Sequence, residues 1–323
     1  MLTIEIARVT EAAAVAAARF SGRGDERLAE HAAAAAMRQA LNLIVDMDGL
    51  VVIGEGEREA APMLYIGEKV GGGGAVRIDI ALKPLEGATL CVKALPNSIA
   101  CVALAEAGSL LHAPDIYMNK IAIGAGYPAG TVDLDLPPQE NVRRMATAKG
   151  VAPGQITACI LDRPRHADLI GVVRDLGCAI RLITDGDVAG VIHAAQPEET
   201  GIDIYLGIGG APEGVLAAAA LRCIGGQMQG RLVATNASQR ERAHKVGFDD
   251  LDRKFTLEDL ASGDVMFAAT GVTDGDLLKG VHFDSRGAST QSLVMRSRSG
   301  TVRLINATHH LDKLAGFSAV DYV

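Results

Sequence analysis

The sequence predicts an α/β protein, with sheets and helices layered on one another in two lobes. Three observations lead there. Short apolar runs of strand length alternate with longer stretches of helical periodicity along most of the chain. Glycine and proline punctuate the transitions between them. A chain of 323 residues, 49% hydrophobic and 22% charged, can bury a substantial core. No repeat, heptad array or low-complexity linker interrupts the pattern, apart from the glycine run at Gly71 to Gly74.

Residues 2 to 19 and 28 to 44 are rich in Ala and Leu at helical spacing and are separated by Ser21-Gly22-Arg23-Gly24-Asp25, which predicts two helices and a short loop. Val51-Val52-Ile53 reads as a buried strand running into Gly54-Glu55-Gly56-Glu57, and residues 77 to 82 alternate as a second strand ending at Pro84. Further strands are predicted at 99 to 104, 120 to 123, 157 to 161, 179 to 183, 203 to 206 and 266 to 269, with helices at 139 to 148, 166 to 176 and 212 to 224. The turn at Leu136-Pro137-Pro138 is the expected border between an N-terminal lobe, 1 to 136, and a C-terminal lobe, 137 to 323.

Charge and cysteine content narrow the classes of function. A formal net charge of -8 and no long Lys/Arg cluster argue against a nucleic-acid surface and favour a small-molecule partner. The five cysteines have neither C-x-x-C spacing nor a histidine at zinc-finger distance, so they read as buried thiols of a reducing cytoplasm. Residues 1 to 20 carry Glu5, Arg8 and Glu11 within an Ala-rich pattern, which is neither a signal-peptide core nor a membrane span. The expected location is the cytoplasm.

Candidate chemistry lies where carboxylates and glycines meet at strand ends. Gly54-Glu55-Gly56-Glu57 and Leu85-Glu86-Gly87 suit a hard divalent cation, which needs oxygen ligands, while glycine lets a phosphate approach the backbone. Taken alone, such a segment is more often a solvated turn. The run Gly207-Ile208-Gly209-Gly210-Ala211-Pro212-Glu213-Gly214 predicts a strand, a turn and a helix start, and Pro212 stands where a dinucleotide fingerprint needs glycine. Arg163 and Arg165, in Arg163-Pro164-Arg165-His166, could clamp a phosphate or sit in a solvated loop. Asp185-Gly186-Asp187 could accept from sugar hydroxyls or cap the next helix. Ser98, Ser285 and Cys101 have no nucleophile-elbow context, so acyl chemistry has no support. His166, His193, His309 and His310 lack ligand spacing and read as structural.

Taken in order along the chain, these segments resemble the class II fructose-1,6-bisphosphatases. The resemblance is carried by Gly22-Arg23-Gly24-Asp25, the Val52 to Glu57 and Ala61 to Val70 segments, Ala113-Pro114-Asp115-Ile116-Tyr117-Met118, Arg163 to His166, Asp185 to Asp187, Gly207 to Gly214 and the Ala269 to Leu277 segment. It implies the layered sugar-phosphatase fold shared with inositol monophosphatases, and metal-assisted hydrolysis of the 1-phosphate of fructose 1,6-bisphosphate with Mn²⁺ or Mg²⁺ in gluconeogenesis. A homo-oligomer, dimer or tetramer, is implied too, and some members also take sedoheptulose 1,7-bisphosphate. The family's metal carboxylates fall on Glu30, Glu55, Glu86 and Glu213. Its substrate contacts fall on Glu86, Gly87, Ala88, Tyr117, Arg163, Pro164, Arg165, Asp185, Gly186, Asp187 and Gly210. Its catalytic positions include Glu59, Lys83, Glu86 and Ala88.

The departures from the family pattern sit where hydrolysis would occur. Glu30, Glu59 and Lys83 stand where the family usually has aspartate, Glu26 where lysine is common, and Ala88 where a threonine hydroxyl is expected to orient the attacking water. An ammonium about 4 Å from a divalent ion, at an effective dielectric of about 20, repels it by roughly 8 kcal/mol. Thr89 is one residue too late to replace the missing hydroxyl. Two readings follow. One is a phosphatase with impaired or redirected turnover; the other is a sugar-phosphate-binding paralogue without hydrolysis, a sensor or a partner subunit, in which Lys83 neutralises the carboxylates.

Overall fold

A computed structural model describes residues 2–58, 61–285 and 287–310. The chain begins with α1 (Leu2–Ala18) and α2 (Glu26–Asn42), followed by β1 (Met47–Ile53), β2 (Lys69–Val70), β3 (Val76–Glu86), the short α3 (Ala88–Val92) and β4 (Ile99–Glu106). There follow β5 (Tyr117–Ile123), α4 (Pro138–Lys149), β6 (Thr157–Leu161), α5 (Ala167–Asp175), β7 (Ala179–Ile183), α6 (Asp187–Ala195) and α7 (Pro197–Thr200). Next are β8 (Ile204–Gly210), α8 (Ala211–Ile224), β9 (Gln227–Val233), α9 (Ala237–Lys245), β10 (Lys254–Thr256) and α10 (Leu257–Leu260). The described chain closes with β11 (Val265–Gly271), β12 (His282–Asp284), β13 (Gly287–Arg296) and β14 (Thr301–His309). This mixed α/β order with two sheets is the expected class.

The chain divides into two compact units, one of residues 1–109 with 263–323, the other of residues 110–262. The expected border at Leu136-Pro137-Pro138 lies inside the second unit. Pro137 caps α4, and Val142 and Met145 of that helix share a buried cluster with Ile121 and Ile123 of β5. A proline-rich turn that only starts a packed helix does not divide a core.

The first unit is an eight-stranded sheet in the order β12-β13-β11-β4-β3-β1-β2, with β14 paired to β13. Helix α1 buries Ile6, Val9, Ala13, Ala14 and Ala17, a stripe at helical spacing, in one cluster with Ile80, Val102 and Ala268 of the sheet. Asp25 caps α2 by accepting from the Leu28 amide. Strand β3 carries a β-bulge: Lys83 pairs with Cys101 and Glu86 with Ile99, so three steps on β3 match two on β4. Pro84 lies in this interval and cannot donate to a ladder. The bulge changes the parity of the strand. Cys101 and Ile99 share a face, and so do the two residues paired with them, although a regular strand would point positions 83 and 86 to opposite faces.

The second unit is a six-stranded sheet in the order β10-β9-β5-β8-β6-β7. Strand β5 is antiparallel to β8 and β9, while β6 runs parallel to β7 and β8. Helices α4 and α5 cover one face through Val142, Met145, Ile170 and Val173. On the other face, Gly214 of α8 lies so close to Met118 of β5 that a Cβ there would stand 2.7 Å from its Sδ. That contact turns Met118 and, two residues on, Lys120 toward α8.

Candidate active site

In the first unit the predicted residues gather at the ends of β1 and β3, which run side by side in parallel. Glu55 lies two residues past the end of β1, after Gly54. Lys83 and Glu86 lie on β3, and Glu86 is buried with its carbonyl accepting from the Ser98 hydroxyl at 3.0 Å. The Lys83 Nζ is 3.7 Å from Glu55 Oε1, and that oxygen is buried and accepts no hydrogen bond among the described residues. Gly87 turns the chain into α3 with φ of 75°, a left-handed conformation that glycine adopts without strain. Ala88 then opens α3 and is buried. The Thr89 hydroxyl donates to Glu26 at 2.8 Å, so it is committed to α2. Glu30 is half-buried on α2, and Glu59 lies outside the described residues.

In the second unit the predicted contacts surround the end of β8. Tyr117 and Gly210 are cross-strand partners at the β5–β8 edge. The Arg165 guanidinium stacks over the Tyr117 ring at 4.8 Å and donates from Nε and Nη2 to the Ile208 carbonyl at 3.1 and 2.7 Å. Arg163 instead donates to the Asp162 carbonyl at 3.3 Å, so the two arginines are not aimed together. Asp185 accepts from the Gly186 amide at 2.9 Å, and Gly186, with φ of 81°, leads into α6 with Asp187 as its first residue. Glu213 lies in the first turn of α8, and a Cβ on Gly210 would fall 1.8 Å from its Oε2. A cavity of about 240 Å³ lies beside this group, lined in part by Asn119, Ile121, Leu134, Leu169 and Arg165.

Two further residues belong to this group, Lys120, which the sequence did not single out, and His166, which it did. Lys120, 1% exposed, donates to the Asp187 carboxylate and to the Gly210 carbonyl, the latter at 2.9 Å. Its signal was a lone charge within the apolar run from Met118 to Ile123. His166, read as structural, bridges Leu161 and Ile208: Nδ1 donates to the Leu161 carbonyl at 2.7 Å and Nε2 accepts from the Ile208 amide at 2.8 Å. Burial pushes its imidazole below the usual histidine range, and the neighbouring Arg165 and Arg163 add to that.

The donor set can be weighed against a metal ion on this geometry. A buried carboxylate oxygen without a hydrogen bond is what a cation would satisfy, and Glu55 offers one. The Lys83 ammonium already stands there as a cation. Among the described residues no group of three or more His, Cys, Asp or Glu side chains is arranged to hold a metal. The thiols add nothing: all five cysteines are buried, and burial pushes Cys91 up to about 11. No helix among the described residues is long and apolar enough to cross a membrane.

The family model described as bacterial fructose-1,6-bisphosphatase, glpX-encoded, matches residues 1–309. The chain is 44% identical over 336 residues to the D-fructose 1,6-bisphosphatase class 2/sedoheptulose 1,7-bisphosphatase of a Synechococcus strain, covering 96% of both chains. It is 43% identical over 326 residues to the fructose-1,6-bisphosphatase class 2 of Haemophilus influenzae, covering 97% of both.

Proposed function

This chain belongs to the family of bacterial, glpX-encoded fructose-1,6-bisphosphatases, and from that premise we propose that it is a sugar-bisphosphate phosphatase that hydrolyses the 1-phosphate of fructose 1,6-bisphosphate. The observation that carries the reading is that Tyr117, Arg165, Asp187 and Gly210 occur together around one strand end. Arg165 would anchor a phosphate with the guanidinium hydrogens it does not spend on Ile208. Asp187 and the Gly210 backbone would meet the sugar. On this reading the protein works in the cytoplasm in gluconeogenesis, as a homo-oligomer.

Glu55 and Glu86, with Glu30 as a further carboxylate, would hold a divalent ion, Mn²⁺ or Mg²⁺, in the first unit; Glu213, which the resemblance also implies as a ligand, lies in the second unit. When bound, such an ion polarises a phosphoryl oxygen and lowers the pKa of a water. The chain's own residues make this a handicapped site. Lys83 competes for Glu55, Ala88 has no hydroxyl to orient water, and the Thr89 hydroxyl is on Glu26. Turnover is therefore slow relative to a chain with aspartate and threonine at positions 83 and 88.

The Lys83–Glu55 pair is also the specific observation that favours a second reading, a sugar-phosphate-binding relative without hydrolysis. Mn²⁺-dependent phosphate release from fructose 1,6-bisphosphate separates the two. Slow, saturable release by the unaltered protein supports the phosphatase. No release by it, beside clear release by a Lys83→Asp, Ala88→Thr double variant, sinks the phosphatase in favour of the binding protein.

A further inference from the structure

Lys120 is the only charged residue in the run Met118-Asn119-Lys120-Ile121-Ala122-Ile123, and it is 1% exposed. An ammonium without partners at such a depth costs several kcal/mol, roughly, so its partners explain its presence. They are the Asp187 carboxylate, at the first residue of α6, and the Gly210 carbonyl, at the last residue of β8, 2.9 Å from Nζ. One side chain therefore ties two elements that reach the pocket separately.

The surroundings are shaped to this side chain. Across the sheet Lys120 faces Gly207 on β8 and Gly230 on β9, so neither cross-strand partner sets a side chain against its stem. A Cβ on Gly209 would stand 2.0 Å from Asp187 Oδ2 and 2.9 Å from Lys120 Nζ, and one on Gly214 would stand 3.3 Å from Lys120 Cδ. Stability alone does not call for such an arrangement, because well-packed apolar residues of the same volume serve a core as well as or better than a buried ion pair. What an apolar pair cannot do is hold a carboxylate and a backbone carbonyl at a set separation.

We propose that Lys120 is a positioning residue of the sugar-phosphate pocket, locking the Asp187 carboxylate and the Gly210 backbone at the one spacing at which both meet the same substrate. This rests on the reading above that Asp187 and Gly210 contact the sugar. Lys120 itself acts through them, since its own surface is closed to solvent.

The test is calorimetric titration of fructose 1,6-bisphosphate into the full chain and its Lys120→Met and Lys120→Arg variants, with no divalent metal present so that no substrate turns over during the titration. Calorimetry reads affinity and the binding-competent fraction separately. The expected result for Lys120→Met is a Kd raised about 30-fold or more at unchanged stoichiometry. A merely structural lysine gives the reverse, unchanged Kd with reduced stoichiometry, and that outcome overturns the proposal. Should Lys120→Met not fold, Lys120→Arg carries the test, because it keeps the charge beside Asp187. Its guanidinium cannot reach Gly210 in the same pose, so its Kd should rise about 5-fold; an unchanged value overturns the proposal. No binding by the unaltered protein is a different failure, which removes the pocket reading and this inference with it.

Discussion

Lys83 Nζ stands 3.7 Å from Glu55 Oε1, beyond hydrogen-bonding distance but within an ion pair. The carboxylate is thus neutralised in charge while that oxygen still accepts no hydrogen bond. A Lys83→Asp, Ala88→Thr variant removes the competing ammonium and supplies a hydroxyl. It should retain more Mn²⁺ after dialysis, read as metal content per chain, and release phosphate faster by several orders of magnitude. Equal metal content and equal rate in the unaltered protein would sink the assignment of either residue.

Gly210 should be essential for function and nearly dispensable for folding. Its φ of -66° and ψ of 143° suit alanine, but a Cβ would fall 1.8 Å from Glu213 Oε2, the far end of a flexible side chain. Gly210→Ala should cost less than about 1 kcal/mol of stability and abolish phosphate release by displacing Glu213. Gly209→Ala is the contrast, since its Cβ would strike the buried Asp187–Lys120 pair. It should cost about 2 to 4 kcal/mol. Thermal unfolding of both variants checks the order, and similar losses would contradict it.

His166 should make stability fall in mild acid. Burial, reinforced by Arg165 and Arg163, holds its folded pKa below the usual 6.5. As pH drops through 6.5 the unfolded chain takes up the proton first, so stability present above that value is lost below it. Protonation of Nε2 would also break its acceptance from Ile208. Urea unfolding at about pH 5.5 and about pH 7.5 should show a smaller difference for His166→Gln than for the unaltered protein, at a cost of about 1 to 2 kcal/mol at the higher pH. The same difference in both proteins would refute this account.

Glu11 carries the opposite sign. Burial in α1 raises its pKa above 4.5, and hydrogen bonding from Ser292 and the charge of Arg8 only partly offset that. Stability is therefore full below 4.5 and is lost as pH rises through the raised folded value. Glu11→Gln keeps the shape without the charge. Its melting temperature should exceed that of the unaltered protein at about pH 7.5 and match it near pH 4; a gain of equal size at both would point to packing rather than charge.

Much of the local structure was legible before any coordinates. The strands expected at 157 to 161 and 179 to 183 are β6 and β7 to the residue, and the first two helices differ from expectation only by two residues or fewer at each end. Periodicity is a local property, so it survives in sequence. Strand β8 ran on through Ile208-Gly209-Gly210, where three expected turn residues are instead held in the ladder by Tyr117, Met118 and Asn119 of β5. Strands β13 and β14, paired antiparallel from Ala288–His309 to Arg296–Thr301, are absent from the expected strands, since the polar run Ser289 to Ser292 of β13 gives no apolar alternation.

Lineage, the strongly periodic strands and helices, and the choice of candidate site residues were written in the residues themselves, because spacing and motif are properties of a one-dimensional string. The tertiary structure decided the rest. It joined residues 1–109 with 263–323 in one unit around a shared sheet. It turned Lys83 and Glu86 to one face through a bulge at Pro84. It gave the Lys120 ammonium its two acceptors, 67 and 90 positions away in sequence. Each of these depends on which distant segments pair, and a buried charge takes its meaning only from the groups that folding brings within hydrogen-bond reach.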